Sequence, residues 1–80
     1  MHLSIIHIFN KCIAKPLEGI SVQLKWIKED GQAFVTESFS DQNGQAFLTH
    51  TPKGQAKILV NSIDYGFIDT PCLQTIIMKK

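Results

Sequence analysis

The chain has no arginine. Its cations are eight lysines, set against seven acids, for a net charge of +1. A nucleic-acid reader needs a basic face, and arginine is the residue that grips phosphate in a bidentate fork, so this composition argues against a polyanion as partner. The same-sign cluster Lys79-Lys80 reads as a solvated tail. No apolar run approaches the ~20 residues of a membrane span. The segment from Met1 to Phe9 is apolar, but it lacks a basic start and a small-residue cleavage site and is interrupted by His2 and His7. It reads as a strand rather than a signal peptide. The expectation is a cytoplasmic protein, or one exported as part of an assembly without a cleaved leader.

Cysteine is scarce too. Cys12 and Cys72 make no disulfide framework, and without a secretory signal they read as two buried thiols, with a single disulfide as the alternative. Neither they nor the histidines show the short-spaced pairs that zinc wants. His2 and His7 lie five apart and face opposite sides of a strand, and His50 has no second ligand near it in sequence. No glycine-rich loop is set to cradle a phosphate. The expectation is no metal, no cofactor and no enzymatic activity. The only chemistry the residues leave open is a Cys–His pair across the fold, or Asp64 with Asp69, and neither completes a catalytic constellation.

What is present is β-patterning punctuated by turns. Hydrophobic residues make up 44% of the 80 positions, enough for one globular domain with a thin core. Residues 2–9 alternate Leu3, Ile5, His7 and Phe9 against Ser4, Ile6 and Ile8. Apolar residues on both faces predict a strand covered on both sides or pairing with a partner. Residues 11–19 are a connection. Residues 20–28 place Ile20, Val22, Leu24 and Trp26 on one face, the predicted core. Residues 33–40 follow, with Ala33, Val35 and Phe39 read as the inner face although Glu37 shares their parity. Residues 45–51, 55–61 (Ala56, Ile58 and Val60 inward) and 72–78 complete the strands. Residues 63–67 read as a loop or short bent strand. The step Gly-Gln-Ala-Phe occurs at 31–34 and 44–47 and reads as the starts of the two strands of one hairpin, residues 31–51. About seven short strands and no helical period indicate a small antiparallel β-sandwich in a single domain, residues 1–80.

Three runs go beyond generic β. They are Pro16-Leu17-Glu18-Gly19-Ile20-Ser21-Val22-Gln23-Leu24, Ser40-Asp41-Gln42-Asn43-Gly44-Gln45-Ala46-Phe47 and Pro52-Lys53-Gly54-Gln55-Ala56. Asp41 can bond the backbone of its own turn, Asn43 tolerates a left-handed conformation, Gly44 supplies a positive φ, and Pro52 fixes φ ahead of the turn at Gly54. These runs resemble the transthyretin-like (prealbumin-like) sandwich of carboxypeptidase regulatory-like domains and related bacterial Ig-like modules. The resemblance covers about residues 14–67 and departs at Ala56, where an aromatic is expected. Trp26 or Tyr65 must then fill that part of the core.

The resemblance implies a non-catalytic protein-binding adaptor or accessory domain. In its sharpest form it implies a module of a bacterial type VI secretion spike assembly that docks cargo. A structural repeat of a surface adhesin or stalk, and a carbohydrate-binding accessory of an enzyme, are the alternatives. Tyr65 and Phe67 flank Gly66 and either anchor a partner or fold back over the core. The first strand, through Ile6 and Ile8, is the second candidate docking element if its edge is free.

Overall fold

The computed structural model describes residues 1–78, so the Lys79-Lys80 tail lies outside the described residues. Those residues form an all-β sandwich: β1 (His2–Asn10), β2 (Lys15–Pro16), β3 (Ser21–Ile27), β4 (Ala33–Phe39), β5 (Gln45–His50), β6 (Gly54–Val60), β7 (Ile63–Thr70) and β8 (Leu73–Met78). One sheet is built around β1, which pairs with β5, β2 and β8. The other runs β4-β3-β6-β7. All pairings are antiparallel except that of β8 with β1, which is parallel, Ile5 facing Leu73 and Asn10 facing Met78.

Alternation decides which side of each strand is dry. Ile6 and Ile8 from β1, Ala46 and Leu48 from β5 and Met78 from β8 meet Val22, Leu24 and Trp26 from β3 and Ala56, Ile58 and Val60 from β6. Trp26 stands beside Ala56 one step beyond the Lys25–Lys57 pair in the register. The small side chain at 56 sits where the large indole is, which resolves the missing aromatic in favour of Trp26, while Tyr65 is exposed.

Several expectations are corrected. β4 has the opposite parity: Val35 and Phe39 are about half exposed, and Phe34, Thr36 and Ser38 turn toward the core side. Glu37 marked the outward face, where its carboxylate accepts bonds from Ser21 Oγ at 2.9 Å and Gln23 Nε2 at 3.0 Å. The two Gly-Gln-Ala-Phe steps do not form one hairpin. They start β4 and β5, which lie in different sheets. Of the two readings of residues 63–67, the strand is the one observed, longer than expected: they are the first part of an eight-residue strand. Asn61 and Ser62 both have positive φ, the pattern of a type I′ turn, and join β6 to β7 in a two-residue hairpin.

Four crossovers carry the chain between sheets, and buried polar groups hold them. At one end Ser40 Oγ donates to the Leu17 carbonyl at 2.6 Å and accepts from the Ile20 amide at 2.9 Å. Gly44 packs beside this joint, and a Cβ there would lie 2.6 Å from Pro16 Cβ and 2.7 Å from the Ile8 carbonyl. Only glycine fits, on space and on its φ of 77°. Asp41 closes the turn as expected, its Oδ1 accepting from the Asn43 and Gln45 amides. Asn43 itself is not left-handed; the positive φ belongs to Gly44 alone. Pro16, Leu17, Ile20, Ser40 and Gly44 are thus neighbours in space, whereas Pro52 and Gly54 follow the other end of β5, beside His50 and Thr70.

Candidate functional site

β1, β5 and β8 contain no Asp, Glu or Lys. All eight lysines and seven acids of the chain lie elsewhere. The outer face of this sheet carries Leu3, Ile5, His7 and Phe9 from β1, Gln45, Phe47 and Thr49 from β5, and Leu73, Thr75 and Ile77 from β8. Leu73, Ile5 and Phe47 form one row across three strands, with Leu73 75% and Phe47 46% exposed. A monomer rarely leaves a contiguous apolar patch of more than a few hundred Å² open. The opposite sheet differs in charge rather than in apolar exposure. Its outer face mixes Lys25, Glu37 and Lys57 with exposed Ile27, Val35, Phe39 and Phe67.

The edge of the same sheet is also open. No strand among the described residues pairs with the far side of β8. Ile5 donates its amide to the Cys72 carbonyl, and Lys11 donates to the Met78 carbonyl. In a parallel ladder that phase turns residues 72, 74, 76 and 78 toward β1, so the backbone groups of Leu73, Thr75 and Ile77 point away from it. Six residues without charge, proline or glycine make an unguarded edge.

The first strand is placed otherwise than expected. Ile6 and Ile8 are fully buried against the other sheet, and β1 is flanked on both sides by β5, β2 and β8. It is a central strand whose exposed apolar side is Leu3, Ile5 and Phe9. Ile6 and Ile8 therefore present nothing to a partner, and the strand has no free edge along the β5 and β8 pairings.

Tyr65 and Phe67 lie on β7, an edge strand of the opposite sheet, and are 38% and 58% exposed. They do not cover the core. Lys57 Nζ lies 5.6 Å from the Phe67 ring centre and 3.3 Å from Asp64 Oδ2. The Gly66 amide, donating at 2.7 Å, and then Lys57 hold the Asp64 carboxyl below the usual range. Asp64 is thus committed to this strand's own bulge and to Lys57, and its ion pair is a surface one of small energetic weight.

A second cluster is sealed inside. His50, at core parity on β5, is 1% exposed, and Ser4 is fully buried. Ser4 Oγ is 2.8 Å from His50 Nε2, and His50 Nδ1 is 2.7 Å from the Pro52 carbonyl. A carbonyl only accepts, so the network assigns the proton to Nδ1, and Nε2 accepts from the Ser4 hydroxyl. Ser4 Oγ in turn accepts the Cys72 amide at 3.2 Å. Beside it Trp26 Nε1 donates to Thr70 Oγ1 at 3.0 Å, and Thr70 donates to the Gly54 carbonyl at 2.7 Å. The Trp26 and His50 rings pack at 4.6 Å between centres, tilted by 37°. A serine hydroxyl bonded to an imidazole is the geometry of an activated nucleophile. Here no substrate reaches it, and each bond ends on a turn carbonyl or amide of a crossover. Pro52 and Gly54 serve as acceptors as well as turn formers.

Neither a family model nor a curated protein sequence matches this chain. The geometry therefore carries the functional reading.

No disulfide joins Cys12 to Cys72. Cys12 is exposed rather than buried, and Cys72 is partly covered. Burial, with the Asp69 charge adding to it, pushes the Cys72 thiol up from its ordinary range against the opposing bond to Ser4. Among the described residues no three His, Cys, Asp or Glu side chains gather to hold a metal. No helix among them is long and apolar enough to cross a membrane.

Neither the charge-free strands nor the Ser4–His50 pair is among the sites expected from the sequence. The first had a signal: residues 2–10, 45–50 and 73–78 lack charge in plain view. The second had a weaker one, a histidine sharing parity with Ala46 and Leu48.

Proposed function

We propose that this chain is a non-catalytic protein-binding domain that accepts a partner's strand along the open edge of β8. The observation that carries it is the phase of that edge: Leu73, Thr75 and Ile77 offer unpaired amides and carbonyls on a strand with no charge to deter pairing. Main-chain bonds supply affinity in such strand addition, and the alternating side chains supply selectivity. Leu73 and Ile77 on the outer face would be those selecting side chains.

An adaptor or accessory role is the reading that the transthyretin-like resemblance favours. Its finer form, cargo docking in a bacterial type VI secretion spike assembly, rests on that resemblance alone. A carbohydrate-binding role loses support because Trp26 is buried and unable to join Tyr65 and Phe67 in an aromatic row.

Thr75→Pro tests the proposal. It removes one outward amide and leaves the β1 ladder intact, because Thr75 bonds away from β1. Capture of a partner from native lysate by the wild type, and its loss in a folded Thr75→Pro variant, is the expected result. Equal capture by both overturns strand addition at β8. Loss only in a Tyr65→Ala/Phe67→Ala variant moves the docking surface to β7.

A further inference from the structure

We infer that the outer face of the β1-β5-β8 sheet is a self-association surface, on which a second copy of this chain packs face to face. The face shares Leu73 and Ile77 with the β8 edge but extends across β1 and β5, so Leu3 and Phe47, which lie off that edge, tell the two surfaces apart.

Three observations select a second copy over other occupants. The first is the distribution of charge. In a twofold interface a residue's neighbours across the axis come from its own patch, so any charge on the patch is brought toward its like. This patch has none: the outward positions of β1, β5 and β8 hold no Lys, Asp or Glu, while the rest of the chain holds all of them. A strongly charged partner would find no counter-charge here. The polar groups on the patch, His7, Gln45, Thr49 and Thr75, are hydrogen-bonding side chains able to pair with their own kind.

The second is area. Leu3, Phe47, Leu73 and Ile77 are 47%, 46%, 75% and 50% exposed. At about 200 Å² for a large apolar side chain they present about 400 Å², before half-buried Ile5 and Phe9 are added. Two copies would bury about 1,000 Å² in all, the lower bound for a specific interface. The area fits a reversible dimer of a small domain.

The third is that nothing opposes approach. A net charge of +1 leaves little repulsion between copies. A pleated face with period-two side chains packs on another at about 10 Å, with strands about 30° apart, as in any sandwich. The apolar residues on both faces of β1 are then both used: Ile6 and Ile8 inside the domain, Leu3, Ile5 and Phe9 between domains.

Sedimentation equilibrium of the purified chain tests this, with Phe47→Lys as the variant because Phe47 lies on β5, away from the β8 edge. The wild type is expected to approach twice its 9.0 kDa mass over the micromolar range. Phe47→Lys is expected to weaken association at least about tenfold while keeping the far-ultraviolet spectrum of the fold. If Phe47→Lys does not fold, Leu3→Lys, also half exposed, replaces it with the same expected result. A wild type that stays at 9.0 kDa throughout overturns the inference. So does a dimer that survives Phe47→Lys and Leu3→Lys but dissociates with Phe39→Lys on the opposite sheet.

Discussion

Ser4 Oγ and His50 Nε2 lie 2.8 Å apart, 46 positions apart in sequence, and both are sealed from water. Their bond joins β1 to β5 and, through Pro52 and Cys72, fixes two crossovers. Ser4→Ala removes the donor to Nε2 and the acceptor of the Cys72 amide. We expect a loss of about 1–3 kcal/mol, read by urea unfolding, because buried polar groups are left unpaired. Thr70→Val, nearly isosteric, orphans Trp26 Nε1 and the Gly54 carbonyl and should cost a similar amount.

Gly44 and Gly19 share a φ of 77° but differ in surroundings. Gly19→Ala meets nothing within 4 Å and should lose only the left-handed backbone cost, about 1–2 kcal/mol. Gly44→Ala pays that cost and also drives a methyl into Pro16 and the Ile8 carbonyl. Chemical denaturation should show the larger loss at Gly44, sufficient in a domain this small to leave much of it unfolded.

Ser62 sits at a φ of 66° in the two-residue turn between β6 and β7. Ser62→Gly completes the Asn-Gly pair that a type I′ turn favours. We expect a gain of about 0.5–1 kcal/mol, seen as a raised urea midpoint at unchanged slope.

The two thiols should separate by reactivity. Cys12 is exposed, and Cys72 is partly covered with its pKa raised. A disulfide-exchange reagent at mildly alkaline pH should modify Cys12 in a fast phase and Cys72 in a slow one. For Cys72 the sign of the linkage follows from its raised folded pKa. The associated stability is present below the ordinary thiol range and fades as pH rises through the folded value, so the slow phase should quicken most in alkali.

Tyr65→Ala and Phe67→Ala should leave the unfolding midpoint nearly unchanged, within about 1 kcal/mol, since both side chains are exposed and Phe67 loses only its surface contact with Lys57.

The strands of the core were legible wherever one face alone is dry. Val22, Leu24 and Trp26, and likewise Ala56, Ile58 and Val60, alternate cleanly and lie where the pattern puts them. The pattern misled where apolar residues occupy the open side. Val35 and Phe39 outweighed the single charge of Glu37, and in β1 both faces looked equally fit for the core. Sheet membership was hidden for another reason. A turn motif such as Ser40-Asp41-Gln42-Asn43-Gly44 sets a local bend, but whether the chain returns to the same sheet or crosses depends on the Ser40 bonds to Leu17 and Ile20, 23 and 20 positions away. The candidate binding edge was invisible for the same cause, since no local signal in residues 73–78 says that they pair in parallel with the first strand.

β1 is the centre of its sheet, yet its two long partners, β5 and β8, come late in the chain. The contacts of Ser4 lie 46 and 68 positions onward. The hairpins β3-β4 and β6-β7 close over short turns and can form while β1 is still unpaired. During synthesis β1 is therefore made before the strands that flank it along most of its length and is among the last enclosed. Its seven-residue run from Leu3 to Phe9 is the segment most in need of shielding until β5 and β8 emerge.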